Sequence, residues 1–271
     1  MRAAAALLGA ALFLAAQAAQ ACMAPPHAFA LPGSITLMPG ARLGEADRHV
    51  PNAPITAAWF AEANLAYGHR IMGDVQDADW LVAYSAASLS SCNVLDVAAG
   101  PGHVFEDVAP RLADVNADGK PEVVTVRSSL TRGAQLAIYG DAGDGRSLRL
   151  LAATPPIGQR HRWLAPAAVA DLDGDGAVEL AYVDRPHLAR VLRVWRYRRG
   201  ALEEVARLEG VTNHRIGDEA IAGGLRDCGA GPEVVLASPD WSRRVAVRLT
   251  GGALAARDLG PWPGAAGALA C

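Results

Sequence analysis

Short runs of aliphatic, aromatic and β-branched residues alternate with breaks rich in Gly, Pro, Asp and Arg over most of this chain. Three runs follow one another at 178–183, 190–197 and 202–208, separated by Asp184-Arg-Pro-His187 and Arg198-Arg-Gly200. Runs this short with breaks of this kind predict strands and turns rather than helices. The same order returns at 234–237, 244–249 and 253–258. A further apolar segment leads into each unit, Ala109-Pro-Arg-Leu-Ala113 before Asp114 and Ala165-Pro-Ala-Ala-Val-Ala170 before Asp171. Each unit is therefore expected to hold four antiparallel strands.

The two clearest units begin at Asp114 and Asp171, 57 residues apart. A repeat of four short antiparallel strands is the blade of a β-propeller, so the fold class expected is all-β. Placing Gly231-Pro-Glu233 on Lys120-Pro-Glu122 gives a third copy, in which Leu225, Asp227 and Gly229 occupy the loop positions. A shortened fourth copy is expected from Ile71-Met-Gly-Asp74 through 80–84, its Asp74, Asp77 and Asp79 off-register by a deletion, so that this loop reads as a turn and not a site. The run Ile55-Thr-Ala-Ala-Trp-Phe60 is expected as the outermost strand of a further blade, completed by an inner strand from 265–271. Pairing both chain ends in one blade would remove the open sheet edge. Five blades follow from this layout, with four as the alternative.

Composition sets the compartment. Met1-Arg2, an Ala/Leu/Phe run and the small triplet Ala19-Gln20-Ala21 have the form of a secretory signal covering 1–21, with 22–271 as one domain. Ala19 and Gln20 make a poor lipidation box, which argues for a soluble periplasmic or secreted bacterial protein over a lipid anchor at Cys22. No later stretch is long and apolar enough to span a bilayer as a helix. Without Arg2 the chain has 24 basic and 28 acidic residues, so there is no basic excess to attract nucleic acid. Four cysteines in an exported chain predict two disulfides, with three possible pairings. The blade layout puts Cys228 and Cys271 on one rim of adjacent blades, which leaves Cys22 for Cys92.

Candidate chemistry sits first in the loops. Asp171-Leu-Asp-Gly-Asp-Gly-Ala-Val-Glu179 places carboxylates at Asp171, Asp173 and Asp175, a turn at Gly176 and a fourth carboxylate at Glu179. Asp114-Val-Asn-Ala-Asp-Gly-Lys-Pro-Glu122 repeats the pattern with Asp114, Asn116, Asp118 and Glu122. Oxygen cages of this kind suit calcium. An EF-hand is excluded, because its twelfth loop position would be Thr125 or Tyr182 and strand-like runs follow each loop. The segments 113–126 and 170–183 resemble the FG-GAP and VCBS repeats of integrin-like propellers, whose D-x-[DN]-x-D-G-x-x-[DE] loop binds calcium between the first two strands of a blade. That resemblance implies two calcium sites. It adds the backbone carbonyls of Lys120 and Ala177 to the ligands, and it implies a scaffold for adhesion or recognition on the face away from the loops.

On that face the segments leading into inner strands carry His69-Arg70, His161-Arg162-Trp163 and His214-Arg215, and neighbouring loops add Arg185, His187 and Trp241. Arginine among imidazole and aromatic groups suits an anionic or glycan ligand, or a protein partner. The competing reading is that these groups bridge blades. No nucleophile elbow, H-E-x-x-H or phosphate loop is present. The expected function is thus a calcium-stabilised, non-catalytic binding module, with a hydrolase or lyase in the funnel and a purely structural scaffold as alternatives. An enzyme would be expected to bring several histidines within hydrogen-bonding distance in one cleft.

Overall fold

The computed structural model describes residues 29–39, 49–90 and 92–271. The expected export signal at 1–21 lies outside them, as does Cys22 with its expected bridge to Cys92. Among the described residues the regular structure is strand throughout, apart from one short 3-10 turn at Ala265–Gly267.

The strands form antiparallel four-stranded units in chain order. The first joins β1 (Thr36–Leu37), β2 (Ile55–Asn64), β3 (Asp77–Ser85) and β4 (Val94–Ala98). A short strand β5 (His103–Phe105) touches β3 and pairs with the second unit. That unit is β6 (Arg111–Ala113), β7 (Glu122–Ser129), β8 (Gly133–Asp141) and β9 (Leu148–Ala153). The third is β10 (Leu164–Ala170), β11 (Glu179–Asp184), β12 (Val191–Arg198) and β13 (Ala201–Glu209). The fourth is β14 (Gly224–Asp227), β15 (Pro232–Ala237), β16 (Arg243–Thr250) and β17 (Ala253–Pro261).

The two-residue period of a strand explains how the units stack. On β7, Val123 packs with Phe60, Leu81 and Leu95 of the first unit. Its neighbour Val124 faces the other way, onto Leu164, Leu180 and Trp195 of the third. On β11, Leu180 and Tyr182 face the second unit while Ala181 and Val183 join Val234, Leu236 and Val247 of the fourth. A strand with neighbours on both faces is apolar at nearly every position, and β11 is buried along its whole length. The last strand of a unit has fewer neighbours, and β13 keeps Glu203, Glu204 and Glu209 exposed.

The innermost segments converge on a cavity of about 520 Å³ lined by Pro32, Val108, Arg111, Pro166 and Ile221 among others. Between the first and fourth units the contact runs through turns: Gly217 N–H donates to the Ile71 carbonyl at 3.0 Å. Gly73 sits there at φ +63°, where an added Cβ would lie 2.6 Å from the Gly217 oxygen. Only glycine fits that approach.

The N-terminal part departs from the sequence-based layout. Ile55–Phe60 belongs to the second strand of its unit, not the outermost, because β1 covers one edge and a hairpin to β3 covers the other. Residues 80–84 consequently form the third strand, while 71–74 is a turn, in keeping with the reading of that loop. The C-terminal segment supplies no strand. Pro261 and Pro263 remove ladder donors, Gly264 has φ +86°, and the Ala265–Gly267 turn follows. Among the described residues no N-terminal strand pairs with a C-terminal one, so the expected shared fifth blade is absent. The Cys228–Cys271 bridge is present, with a Cα–Cα distance of 5.7 Å. Cys271 reaches it from the end of the C-terminal turn, not from an inner strand. Arg244 holds that end by donating to the carbonyls of Gly267 and Ala270.

Candidate functional site

Chemistry gathers in two places, and strand order sets them at opposite ends of the sheets. The acidic loops link first strand to second, β6 to β7 and β10 to β11. The His-Arg segments link second strand to third, or the last strand of one unit to the first of the next. In an antiparallel unit those two kinds of connection emerge at opposite ends.

Each loop is shaped by its first aspartate. Asp171 accepts the N–H groups of Gly174, Asp175 and Gly176. Asp114 accepts those of Asp118 and Gly119. The ninth residue closes the loop from below, Glu179 accepting Leu172 N–H and Glu122 accepting Val115 N–H, both at 2.9 Å. At the second loop, ligand oxygens of Asp171, Asp173 and Glu179 lie within 4.8 Å of one another. Asp173 Oδ1 is buried there without a hydrogen-bond partner. This donor set fits a hard divalent cation. The first loop differs from the equivalence expected. Asn116 turns its amide nitrogen onto Glu122 Oε1 at 2.8 Å, and its oxygen accepts Asp118 N–H. Burial, with Asp118 and Asp114 adding repulsion, pushes the Glu122 carboxyl up to about 7 even though Val115 N–H opposes it. In the fourth unit no acidic cage remains, as Leu225 and Gly229 implied.

At the other end, His69, His161, Arg162, Trp163, Arg185 and His187 line one cavity of about 260 Å³, with Ile71, Leu188 and Ile216 completing its wall. The His69 and His161 rings stack at 4.8 Å, nearly parallel. Trp163 is buried, donates its indole N–H to the Glu106 carbonyl at 2.8 Å and meets His214 edge-on. His214 lies beneath the cavity. Its Nε2 donates to the Asp218 carbonyl at 2.8 Å, so the neutral ring accepts through Nδ1 the N–H of His187 Nε2 at 3.1 Å. Burial, then the neighbouring His214, brings His187 down to about 4, and burial also lowers His214. With both rings held towards the neutral form, the cavity's guanidinium groups are Arg162 and Arg185, the latter paired with Asp184 through Nε at 2.8 Å and Nη2 at 3.2 Å. Arg70 and Arg215 fall elsewhere: Arg70 lines a separate cleft with Asn64 and Asp77, and Arg215 stacks on Trp241 at 4.3 Å. The three His-Arg pairs are therefore not equivalent.

A buried acidic layer supports this cavity. Glu106 accepts from His69 Nδ1 and from the Ser128 hydroxyl. Asp77 lies near it, and burial together with the Glu106 charge raises its carboxyl to about 8. Neither acid carries a motif; both are hydrophilic residues beside apolar strand ends, and only the packing brings Glu106 to His69 and Asp77 near Glu106.

Repeated four-stranded antiparallel units with an acidic turn between first and second strands define a propeller-like interaction module. Residues 110–182, which contain both acidic loops, match the family of FG-GAP-like repeats. Comparison with curated proteins returned no match.

Proposed function

We propose that this chain is an exported four-bladed β-propeller, stabilised by calcium at the loops beginning at Asp114 and Asp171. In this reading it acts as a non-catalytic module that binds an acidic glycan. The observation that carries the reading is the convergence of His69, His161, Arg162, Trp163, Arg185 and His187, from three separate connections, on one cavity. Stacked imidazoles and apolar walls suit the C–H face of a sugar ring, the His187 imidazole suits its hydroxyls, and the Arg162 guanidinium suits a carboxylate. Inner segments of all four units around one central cavity support the four-bladed form. The Cys228–Cys271 bridge supports an oxidising, periplasmic or extracellular setting.

Calorimetry with uronic-acid oligosaccharides tests the site. The variant Arg162→Ala, at an arginine with no carboxylate partner among the described residues, is expected to weaken binding at least about tenfold, the order of one charged hydrogen-bonded contact, while melting within about 2 °C of the wild type. Failure of every acidic oligosaccharide to bind would discard the ligand class. One observation favours a hydrolase or lyase instead: the His187–His214 contact and the His69–Glu106–Ser128 chain place proton donors and acceptors beside the cavity. Product formation that disappears in His187→Ala would establish that reading.

Calcium is tested separately by melting in calcium and in chelator. Extracellular-type sites have dissociation constants of about 10⁻⁴ to 10⁻³ M. Calcium at ten times that value adds about 1.4 kcal/mol per site, a rise of roughly 3 to 6 °C. Identical melting in both conditions would remove calcium from the account.

A further inference from the structure

Strand register places a different residue across from the ninth loop position in each unit. Glu122 on β7 lies opposite Gly140 on β8, since Val123 pairs with Tyr139. Glu179 on β11 pairs directly with Arg196 on β12. Glu233 on β15 lies opposite Arg248 on β16, since Val234 pairs with Val247. The same site in three repeated units thus carries no cation, one arginine, and one arginine within a cluster.

The arginines are engaged where a metal ion would act. Arg196 donates through Nε to Glu179 at 2.5 Å, through Nη2 to Asp173 at 2.9 Å and through Nη1 to Asp175 at 2.8 Å. Its guanidinium bridges three of the four carboxylates in the second loop. In the fourth unit Arg226, Arg248 and Arg257 all meet Glu233, and the loop residues at the first and fifth positions are Leu225 and Gly229.

We propose that Arg196 is a tethered counter-cation that closes the second loop on its own, so that calcium enters this loop only by displacing a guanidinium, whereas among the described residues no arginine donates to the carboxylates of the first loop, Arg149 lining its cleft without bonding them. The inference rests on the calcium reading above and sharpens it: the loops differ in ion dependence, and the series Gly140, Arg196, Arg248 grades the fold from ion-held to arginine-held. A fixed cation and a bound one compete for the same carboxylate oxygens, because each neutralises the charge the other would bind. Asp173 shows the competition in one side chain. Its Oδ2 bonds Arg196, while its Oδ1 is buried and has no hydrogen-bond partner.

Calcium titration of the whole protein by calorimetry, with melting in parallel, tests this. Arg196→Gln keeps most of the side chain and removes the charge; Arg196→Ala is the second variant. Arg196→Gln is expected to raise calcium affinity at the second loop about tenfold, a coupling of ordinary size between two ligands of one site. It should melt about 5 °C lower in chelator and recover in calcium. Asp173→Asn in the Arg196→Gln background should abolish the gain. If Arg196→Gln and Arg196→Ala both leave calcium affinity unchanged or weaker while the wild type binds calcium, the counter-cation role is overturned and the calcium reading stands. If neither the wild type nor either variant binds calcium, both fall together.

Discussion

Replacing Glu233 by alanine is expected to destabilise the protein by about 3 to 5 kcal/mol, the range for removing one partner of a buried ion pair. Glu233 is 2% exposed and accepts from Arg226 at 2.7 Å, and the Arg226 side chain is itself only 8% exposed. Arg248 and Arg257 reach the same carboxylate but are more exposed, so they contribute less. The cost arises because a buried guanidinium would be left without its counter-ion. For a domain of this size the melting temperature should fall by roughly 10 °C, and Glu233→Gln, which keeps the shape, should fall less. The sign of the pH dependence follows from the same contacts. Burial alone would raise the carboxyl, but Arg226, Arg248 and Arg257 outweigh it and hold it below its ordinary value. Its contribution is therefore present above the unfolded carboxylate range near 4.5 and is lost as the pH falls through the lower folded value. A melting curve of Glu233→Ala that overlays the wild type would show that the arginine cluster is ornament on an already stable sheet.

Removing the Cys228–Cys271 bridge with paired serines is expected to cost about 4 kcal/mol. That is the loop-closure value for its sequence separation of 43 residues. The bridge matters more here than in a ring closed by hydrogen-bonded strands, because the C-terminal segment forms no strand. It is otherwise held by Ala268, buried in the fold, and by Arg226 and Arg244 on its carbonyls. Reduction should lower the melting temperature and expose the segment after Pro261 to proteolysis first. Equal melting of oxidised and reduced protein would mean that those contacts suffice. Arg226 touches both Glu233 and the Ala270 carbonyl, so the serine pair and Glu233→Ala should be non-additive in a double-mutant cycle.

Much of this fold is legible in the amino-acid sequence. The runs at 178–183, 190–197 and 202–208 fall on β11, β12 and β13, and those at 234–237, 244–249 and 253–258 fall on β15, β16 and β17. The acidic turns are also legible. Local chemistry carries those features: strand period, breakers, and carboxylates at alternate loop positions are all written within a few residues. The Cys228–Cys271 pairing forms as expected, but from a C-terminal turn and not from the inner strand the layout supposed. The strand order of the first unit is not legible in the sequence, for the opposite reason. Ile55–Phe60 is apolar on both faces, and a run of that kind does not say which strand of a sheet it is; its neighbours β1 and β3 decide.

Sequence alone determined that this chain would be all-β, repeated, and furnished with oxygen-lined turns, because each of those properties is fixed by residues close together along the chain. Only the tertiary structure decided that six of the ten candidate ligand residues share a cavity while Arg70 and Arg215 do not, and that Arg196 stands across from Glu179 where Gly140 stands across from Glu122. Those relations join residues from different strands and connections. They depend on hairpin length and register, which set where a side chain meets its partner and are not encoded at either position by itself.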